Sequence, residues 1–272
     1  MSSFTFQGKD VFYEVTGEGK PILLLNGIMM STKSWGPFLN SFSNSNKLIR
    51  VDFLDQGQST RLTGYYEHDI QVEVTHALVL HLKLESVSII GISYGGEVAL
   101  EYAIKYPEFV DRLVLFNTAA YTTPWLRDIG RSWIKAGGHL DGEAYYFTTI
   151  PIIYSPYFYE NNQEWFSNRK KLLVPLFSNE LFINQMERLT ISSESYNVLD
   201  ELNKVTAHTL IVSSEEDYLT PIRDQELLAR KIKNSHWVKI PNAGHASMYE
   251  QPMIFASLCL GFINIKDTLF SI

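Results

Sequence analysis

A serine is a weak nucleophile at neutral pH and becomes a catalyst only where a base takes its proton and a third group holds the base. Ser93 lies in Gly91-Ile92-Ser93-Tyr94-Gly95, a G-x-S-x-G pentapeptide followed by a further glycine, Gly96. The pentapeptide comes directly after the apolar run SVSIIG (86–91) and directly before a helix-like segment, 96–106. A strand that turns at once into a helix has room only for glycine on either side of the serine. It holds the serine in a strained conformation and presents Oγ at the tip of the sheet, at the positive end of a helix.

The base must come from the same sheet edge. His245, in Pro241-Asn242-Ala243-Gly244-His245, follows the last strand-like run, HWVKIP (236–241), and is therefore carried to that edge. The other histidines fit less well: His68, His76 and His81 lie around or within one helical segment, and His139 lies among later helices. His208 and His236 begin strands, at the wrong end of the sheet. For the third group, three adjacent carboxylates, Glu215, Glu216 and Asp217, follow the run TLIVSS (209–214), and any of them can reach the imidazole. No His/Asp/Glu cluster has metal-ligand spacing, and the chemistry requires no cofactor.

These residues need a sheet to gather them. Short runs that are apolar on both faces recur at 11–17, 21–27, 47–53, 86–91, 112–117, 209–214 and 236–241. Segments 68–83, 96–106, 223–233 and 250–264 have helical spacing between them. This alternation predicts an α/β fold with a mostly parallel sheet flanked by helices. Residues 121–204 break the rhythm: they hold no convincing strand pair and carry Trp125, Trp133, Tyr145, Tyr146, Phe147, Tyr154, Tyr157, Phe158 and Trp165. A segment of that length needs structure of its own. It reads as a helical cap over the carboxyl edge of the sheet, with 1–120 and 205–272 forming the core domain.

Composition narrows the classes. The chain has 272 residues, 45% apolar, with a formal net charge of −7. It buries a sizeable core and has no general attraction to nucleic acid or to an anionic membrane surface. Cys259 is the only cysteine, within FASLCLGF, and reads as a buried small hydrophobe. With no signal-peptide pattern in MSSFTFQGKDVFYEV and no apolar run of membrane-spanning length, the expected location is the cytoplasm.

From Pro21 onward, in the order nucleophile, acid, histidine, the chain resembles the α/β-hydrolase superfamily. The resemblance implies that fold, with a helical cap inserted after the sixth strand. It selects Asp217 as the acid, four residues before Pro221, although Ser214 stands where a glycine is common. It implies an oxyanion hole made by the backbone N–H groups of Ile28 and Tyr94, although Asn26-Gly27 replaces the usual His-Gly. Asp52-Phe-Leu-Asp55-Gln56-Gly57-Gln58-Ser59 resembles the family's D-x-x-G-x-G-x-S loop, with Asp55 for the first glycine. A serine nucleophile sets the chain apart from the dehalogenase and epoxide hydrolase branches, which use aspartate. The implied activity is cleavage of an ester, thioester or lactone of a small, largely apolar acyl substrate, as in carboxylesterases and enol-lactonases. Carbon–carbon cleavage of a diketone by the same triad, or ligand binding without turnover, are the alternatives. Met29, Trp125, Tyr154 and Met248 are the candidate pocket residues, with the cap's rings divided between pocket wall and the cap's own core.

Overall fold

The computed structural model describes residues 2–265, so the last part of the expected core domain, 266–272, lies outside the described residues. Its strands are β1 (Ser2–Phe6), β2 (Lys9–Thr16), β3 (Lys20–Leu25), β4 (Asn46–Val51), β5 (Val87–Ile92), β6 (Val110–Phe116), β7 (His208–Ser214) and β8 (Ser235–Ile240). They form one eight-stranded sheet in the order β1-β2-β4-β3-β5-β6-β7-β8. Pairing is antiparallel at β1–β2 and β2–β4 and parallel from β4 to β8. The short strand β1 escapes the hydrophobic pattern because most of its residues are exposed at the sheet edge.

The helices at 69–81, 94–105, 222–231 and 252–264 lie where the spacing predicts them, and a short helix at 39–43 adds to these. In the core they are α1 (Leu39–Ser43), α2 (Asp69–His81) and α3 (Tyr94–Lys105). After β6 come α4 (Pro124–Gly137), α5 (Gly142–Ile153), α6 (Pro156–Asn161), α7 (Gln163–Phe177) and α8 (Glu180–Ser192). The chain then closes with α9 (Ile222–Lys231), α10 (Ser247–Glu250) and α11 (Pro252–Asn264).

The continuous apolar runs follow from burial of both sheet faces. Leu23, Leu25, Val87, Ile89, Leu113 and Leu115 pack on one side, and Ile22, Leu24, Ile90, Ile92, Val114 and Phe116 pack on the other. Each strand therefore needs an apolar side chain at every position rather than at alternate ones. On the second face Phe255 of α11 is fully buried among the rings of Phe116 at 4.7 Å, Phe38 at 5.0 Å, and Trp35 and Phe42 at 6.2 Å.

The α4–α8 segment leaves and rejoins the core at one point, an antiparallel bridge between Tyr121 and Asn197. Side-chain caps start four of its five helices, α7 being the exception: Thr123 accepts from Leu126 N–H, Asp141 from Glu143 and Ala144 N–H, Ser155 from Phe158 N–H, and Asn179 from Phe182 N–H. Pro124 and Pro156 follow two of these caps at the first helical position, where a missing N–H costs nothing. The segment has its own core of Trp133, Tyr145, Tyr146, Ile150, Tyr154, Phe166, Phe177 and Ile183. No described helix is long and apolar enough to cross a membrane.

Phe255→Ala is expected to destabilise the fold by about 3–5 kcal/mol, the cost of a large buried ring and the cavity it leaves. A urea unfolding curve checks this, and a midpoint shift corresponding to under about 1 kcal/mol would mean that the aromatic cluster closes around the gap.

Candidate active site

Every residue singled out for chemistry lies past the carboxyl end of a parallel strand. Asn26 to Met30 follow β3, the Asp52 loop follows β4, Ser93 follows β5, Asp217 follows β7 and His245 follows β8. Between β5 and α3 the chain reverses within one residue: Ser93 has φ 53° and ψ −120°. Its N–H donates to Phe116 C=O at 3.0 Å, and its own C=O accepts from Thr118 Oγ1 at 2.9 Å. The flanking glycines are required by close backbone approach, since a Cβ on Gly95 would stand 2.3 Å from Leu25 O and one on Gly91 2.4 Å from Gly95 O. Tyr94 is the first residue of α3, where N–H groups have no preceding helical carbonyl to bond.

His245 Nδ1 stands 2.8 Å from Asp217 Oδ2, and both side chains are almost fully buried. Asp217 is fixed by its own turn: Oδ1 accepts from the N–H groups of Leu219 (2.8 Å) and Thr220 (2.9 Å), and Oδ2 accepts from Thr220 Oγ1 (2.8 Å). Those bonds hold its carboxyl toward the imidazole. Glu215 is exposed and Glu216 partly so, as solvated loop charges should be.

The histidine loop is anchored by two buried polar side chains. Asn117, at the end of β6 with φ 47°, donates through Nδ2 to His245 C=O (2.9 Å), Ser214 Oγ (3.0 Å) and Ser247 Oγ (3.2 Å). Its Oδ1 accepts from Ser214 N–H at 3.0 Å. Ser214, unusual beside the family pattern, thus uses its hydroxyl in this network. Glu250 accepts from Gly244 N–H (3.0 Å) and from both Ser155 N–H (3.2 Å) and Ser155 Oγ (2.5 Å), which ties the loop to the start of α6. Gly244 is glycine because a Cβ there would meet Ser155 N at 2.5 Å.

Asn26 does for the β3 loop what Asn117 does for the histidine. Its Nδ2 donates to Val51 C=O at 2.7 Å and Gln56 Oε1 at 3.0 Å, and its Oδ1 accepts from Trp35 Nε1 at 2.7 Å. Gln56 Nε2 in turn donates to Gly27 C=O at 3.0 Å. The Asp52 loop is therefore a brace for the segment carrying Ile28. Asp55 adopts φ 67°, so the aspartate takes the left-handed backbone of the glycine it replaces. Its carboxylate pairs with both Nη2 (2.6 Å) and Nε (2.9 Å) of Arg188 on α8.

Ser93, Tyr94, His245, Gly27 and Ile28 border one cavity of about 190 Å³ beneath the α4–α8 segment. Met29, Met30, Tyr154 and Met248 line it as well. Trp125 does not. It is half exposed on α4, borders a separate surface hollow, and is held there by its Nε1 donating to Tyr218 C=O at 2.6 Å. Among the described residues no group of three or more His, Cys, Asp or Glu side chains is placed to hold a metal ion.

The sequence model for the alpha/beta hydrolase fold matches residues 20–252. The chain belongs to the α/β-hydrolase family. It is 26% identical over 269 residues to the AB hydrolase superfamily protein YisY of Bacillus subtilis, covering 93% of this chain and 95% of that protein. Among solved structures it is similar to MGS-M2, an alpha/beta hydrolase enzyme from a Medee basin deep-sea metagenome library, with 47% identity, a TM-score of 0.97 and full coverage of both chains. The enol-lactonase of Burkholderia xenovorans superposes with a TM-score of 0.83 over 97% of this chain and 100% of its own, at 19% identity, a likeness of fold.

Two groups in this α/β-hydrolase site went unread in the sequence. Asn117 looks like a strand-terminating residue in RLVLFN, and only its hydrogen bonds in the folded chain disclose the anchor. Glu97 carried a signal: it is a charge inside GGEVALEYA, a stretch whose other residues are apolar or glycine apart from Glu101. It borders the cavity and is 4% exposed.

Asn117→Ala would remove the acceptor of the buried Ser214 N–H and the two N–H donors shared among the oxygens around Nδ2, and each orphaned group costs about 1–3 kcal/mol. The expected outcome is a lower melting temperature than wild type, with faster hydrogen exchange at the amides of 244–247 than elsewhere on the sheet edge. Unchanged exchange there would show that the loop is held by other contacts.

Proposed function

We propose that the protein is a serine hydrolase that cleaves an ester, thioester or lactone of a small, largely apolar acyl substrate. The observation that carries this reading is the 2.8 Å contact of His245 Nδ1 with Asp217 Oδ2 in a site where Ser93 and His245 border one largely apolar cavity. In this reading Asp217 accepts from Nδ1–H and so leaves Nε2 as the base for Ser93. The Ser93 hydroxyl loses its proton to Nε2 as Oγ attacks the carbonyl carbon. The carbonyl oxygen becomes an oxyanion held by the N–H groups of Tyr94 and Ile28. His245 then returns the proton to the departing alcohol or thiol, leaving an acyl group on Ser93. Water, deprotonated by the same histidine, attacks that acyl-enzyme and frees Ser93.

The wall supports this substrate class. Ile28, Met29, Ile150, Ile153, Leu173 and Met248 offer apolar surface to an acyl chain. The α4–α8 segment, with its own aromatic core, acts as a cap that keeps water from the acyl-enzyme and strengthens the site's electrostatics. The enol-lactonase of Burkholderia xenovorans shares the fold, which keeps a lactone among the substrates proposed. No cofactor takes part.

A fluorophosphonate probe is expected to label wild type at Ser93 and to leave Ser93→Ala unlabelled; an unmodified wild-type Ser93 would overturn the hydrolase reading. With a nitrophenyl acyl ester, Asp217→Asn is expected to lower kcat by ~10⁴-fold, the scale of losing the group that fixes the histidine tautomer. Glu215→Gln and Glu216→Gln are expected to stay within about threefold of wild type, since neither carboxylate reaches the imidazole. A large loss at Glu216 with a mild one at Asp217 would reassign the acid.

A further inference from the structure

Glu97 lies one helical turn beyond Ser93 on α3, with Val98, Ala99 and Leu100 buried around it. It borders the same cavity as Ser93 and His245 and has no part in the acyl-transfer steps. A carboxyl group stripped of water needs partners, and a carboxylate offers about four lone-pair positions. The protein supplies few. Oε2 accepts from Ser193 Oγ at 2.6 Å and lies 3.7 Å from His68 Nε2, which is sealed from solvent without a hydrogen bond. No hydrogen bond reaches Oε1 from the described residues, and unlike His68 Nε2 it is not sealed off, so it opens on the cavity that Glu97 lines. The other acid of the cavity wall, Glu194, is already paired with Arg131.

We propose that Glu97 is a specificity-determining acceptor, and that the natural substrate carries a hydrogen-bond donor, a hydroxyl or an amine, on the part that reaches it. The inference rests on the serine hydrolase reading and narrows its substrate class. An acceptor that opens on such a cavity favours a ligand that donates to it over the analogue whose methyl displaces water without replacing its hydrogen bond. The cavity as a whole is mostly apolar, and the polar groups near Glu97 come from the protein, so a ligand's donor there has few competing sites.

The groups facing Glu97 set how the contrast varies with pH. His68 faces it from the start of α2, Ser193 and Tyr196 from the segment after α8, Tyr94 and Glu101 from its own helix, and His245 from the loop after β8. Burial pushes the Glu97 carboxyl up to about 7, with the neighbouring charge of Glu101 adding to the rise and His68, Ser193 and His245 opposing it. Burial also pushes the Tyr94 and Tyr196 phenols up, so both stay neutral there. Below about pH 7 Glu97 is a neutral acid; above it, a charged acceptor that binds a donor more strongly.

The test uses matched pairs of acyl esters in which a hydroxyl or an amine replaces a terminal methyl, on the acyl chain in one set and on the alcohol in the other. The quantity read is the ratio of kcat/KM within a pair, from which ionisation of the serine–histidine machinery cancels. For wild type the ratio in at least one set is expected to favour the donor-bearing ester and to rise as pH passes upward through about 7. In Glu97→Leu it is expected to fall about 10–100-fold. Glu97→Gln, which keeps a neutral acceptor, is expected to give an intermediate ratio that does not change with pH. A larger rise for the amine pair than for the hydroxyl pair would support a cationic donor; equal rises would support a neutral one. A wild-type ratio near one at every pH in all sets would overturn the proposal without recourse to any variant. So would unchanged ratios in both variants while Ser93 still takes the fluorophosphonate label. If wild type neither labels nor turns over any ester, the hydrolase reading fails and this one with it.

Discussion

A side chain held at φ 53° and ψ −120° costs on the order of 1–3 kcal/mol, and the surroundings of Ser93 are arranged to hold it there. The backbone of Ser93 is fastened on both sides by the end of β6, through Phe116 C=O and the Thr118 hydroxyl. Gly95 lets α3 start so close to β3 that a single methyl group would collide with Leu25 O, and Gly91 leaves room for the first turn of α3. Because the turn is that tight, the reactive-type hydroxyl, the first free N–H of α3 and the loop after β3 must share one small volume. The remaining loops of the sheet edge are built around it.

Those loops are held by buried polar side chains as well as by apolar packing. Asn117 links the ends of β6 and β7 to the histidine loop, and Asn26 with Gln56 links β3, β4 and the Ile28 segment. Each makes several hydrogen bonds out of solvent, so loss of one partner strands several groups at once. Such networks fix a single geometry where greasy contacts would allow sliding. Two further contacts fasten the α4–α8 segment over the cavity: Arg188 on Asp55, and Ser155 on Glu250. Their location matters, since the first engages the Asp52 loop and the second the histidine loop.

The cavity that results is apolar over most of its wall and has a few polar groups at defined places. In a medium of that kind the attraction between His245 and Asp217 is little screened, and an unfilled acceptor such as Glu97 weighs more than it would in water. One environment thus supports two separate features, the acyl-transfer machinery proposed for Ser93 and the donor recognition inferred for Glu97.

Much of this was written in the sequence. Strands buried on both faces must read as unbroken apolar runs, so β3 to β7 are visible without coordinates, as is the glycine-framed serine that only a strand-to-helix turn explains. Edge strand β1 is not, because its exposed residues carry no hydrophobic signal. By themselves the residues also left Glu215, Glu216 and Asp217 equivalent. The turn after β7 separates them, since the Leu219 and Thr220 amides hold the Asp217 carboxyl inward while its neighbours face water. Trp125 shows the same limit: its presence in an aromatic segment said nothing of the face of α4 it occupies, and a bond to Tyr218 holds it outside the cavity. Local sequence determines where the chain turns and which stretches are buried, because those depend on sterics and hydrophobicity a few residues wide. Beyond local turns such as that of Asp217, which side chain reaches which partner is decided by contacts between residues far apart in the chain, as Glu97 with Ser193 and Asn117 with His245, and only the folded chain brings these together.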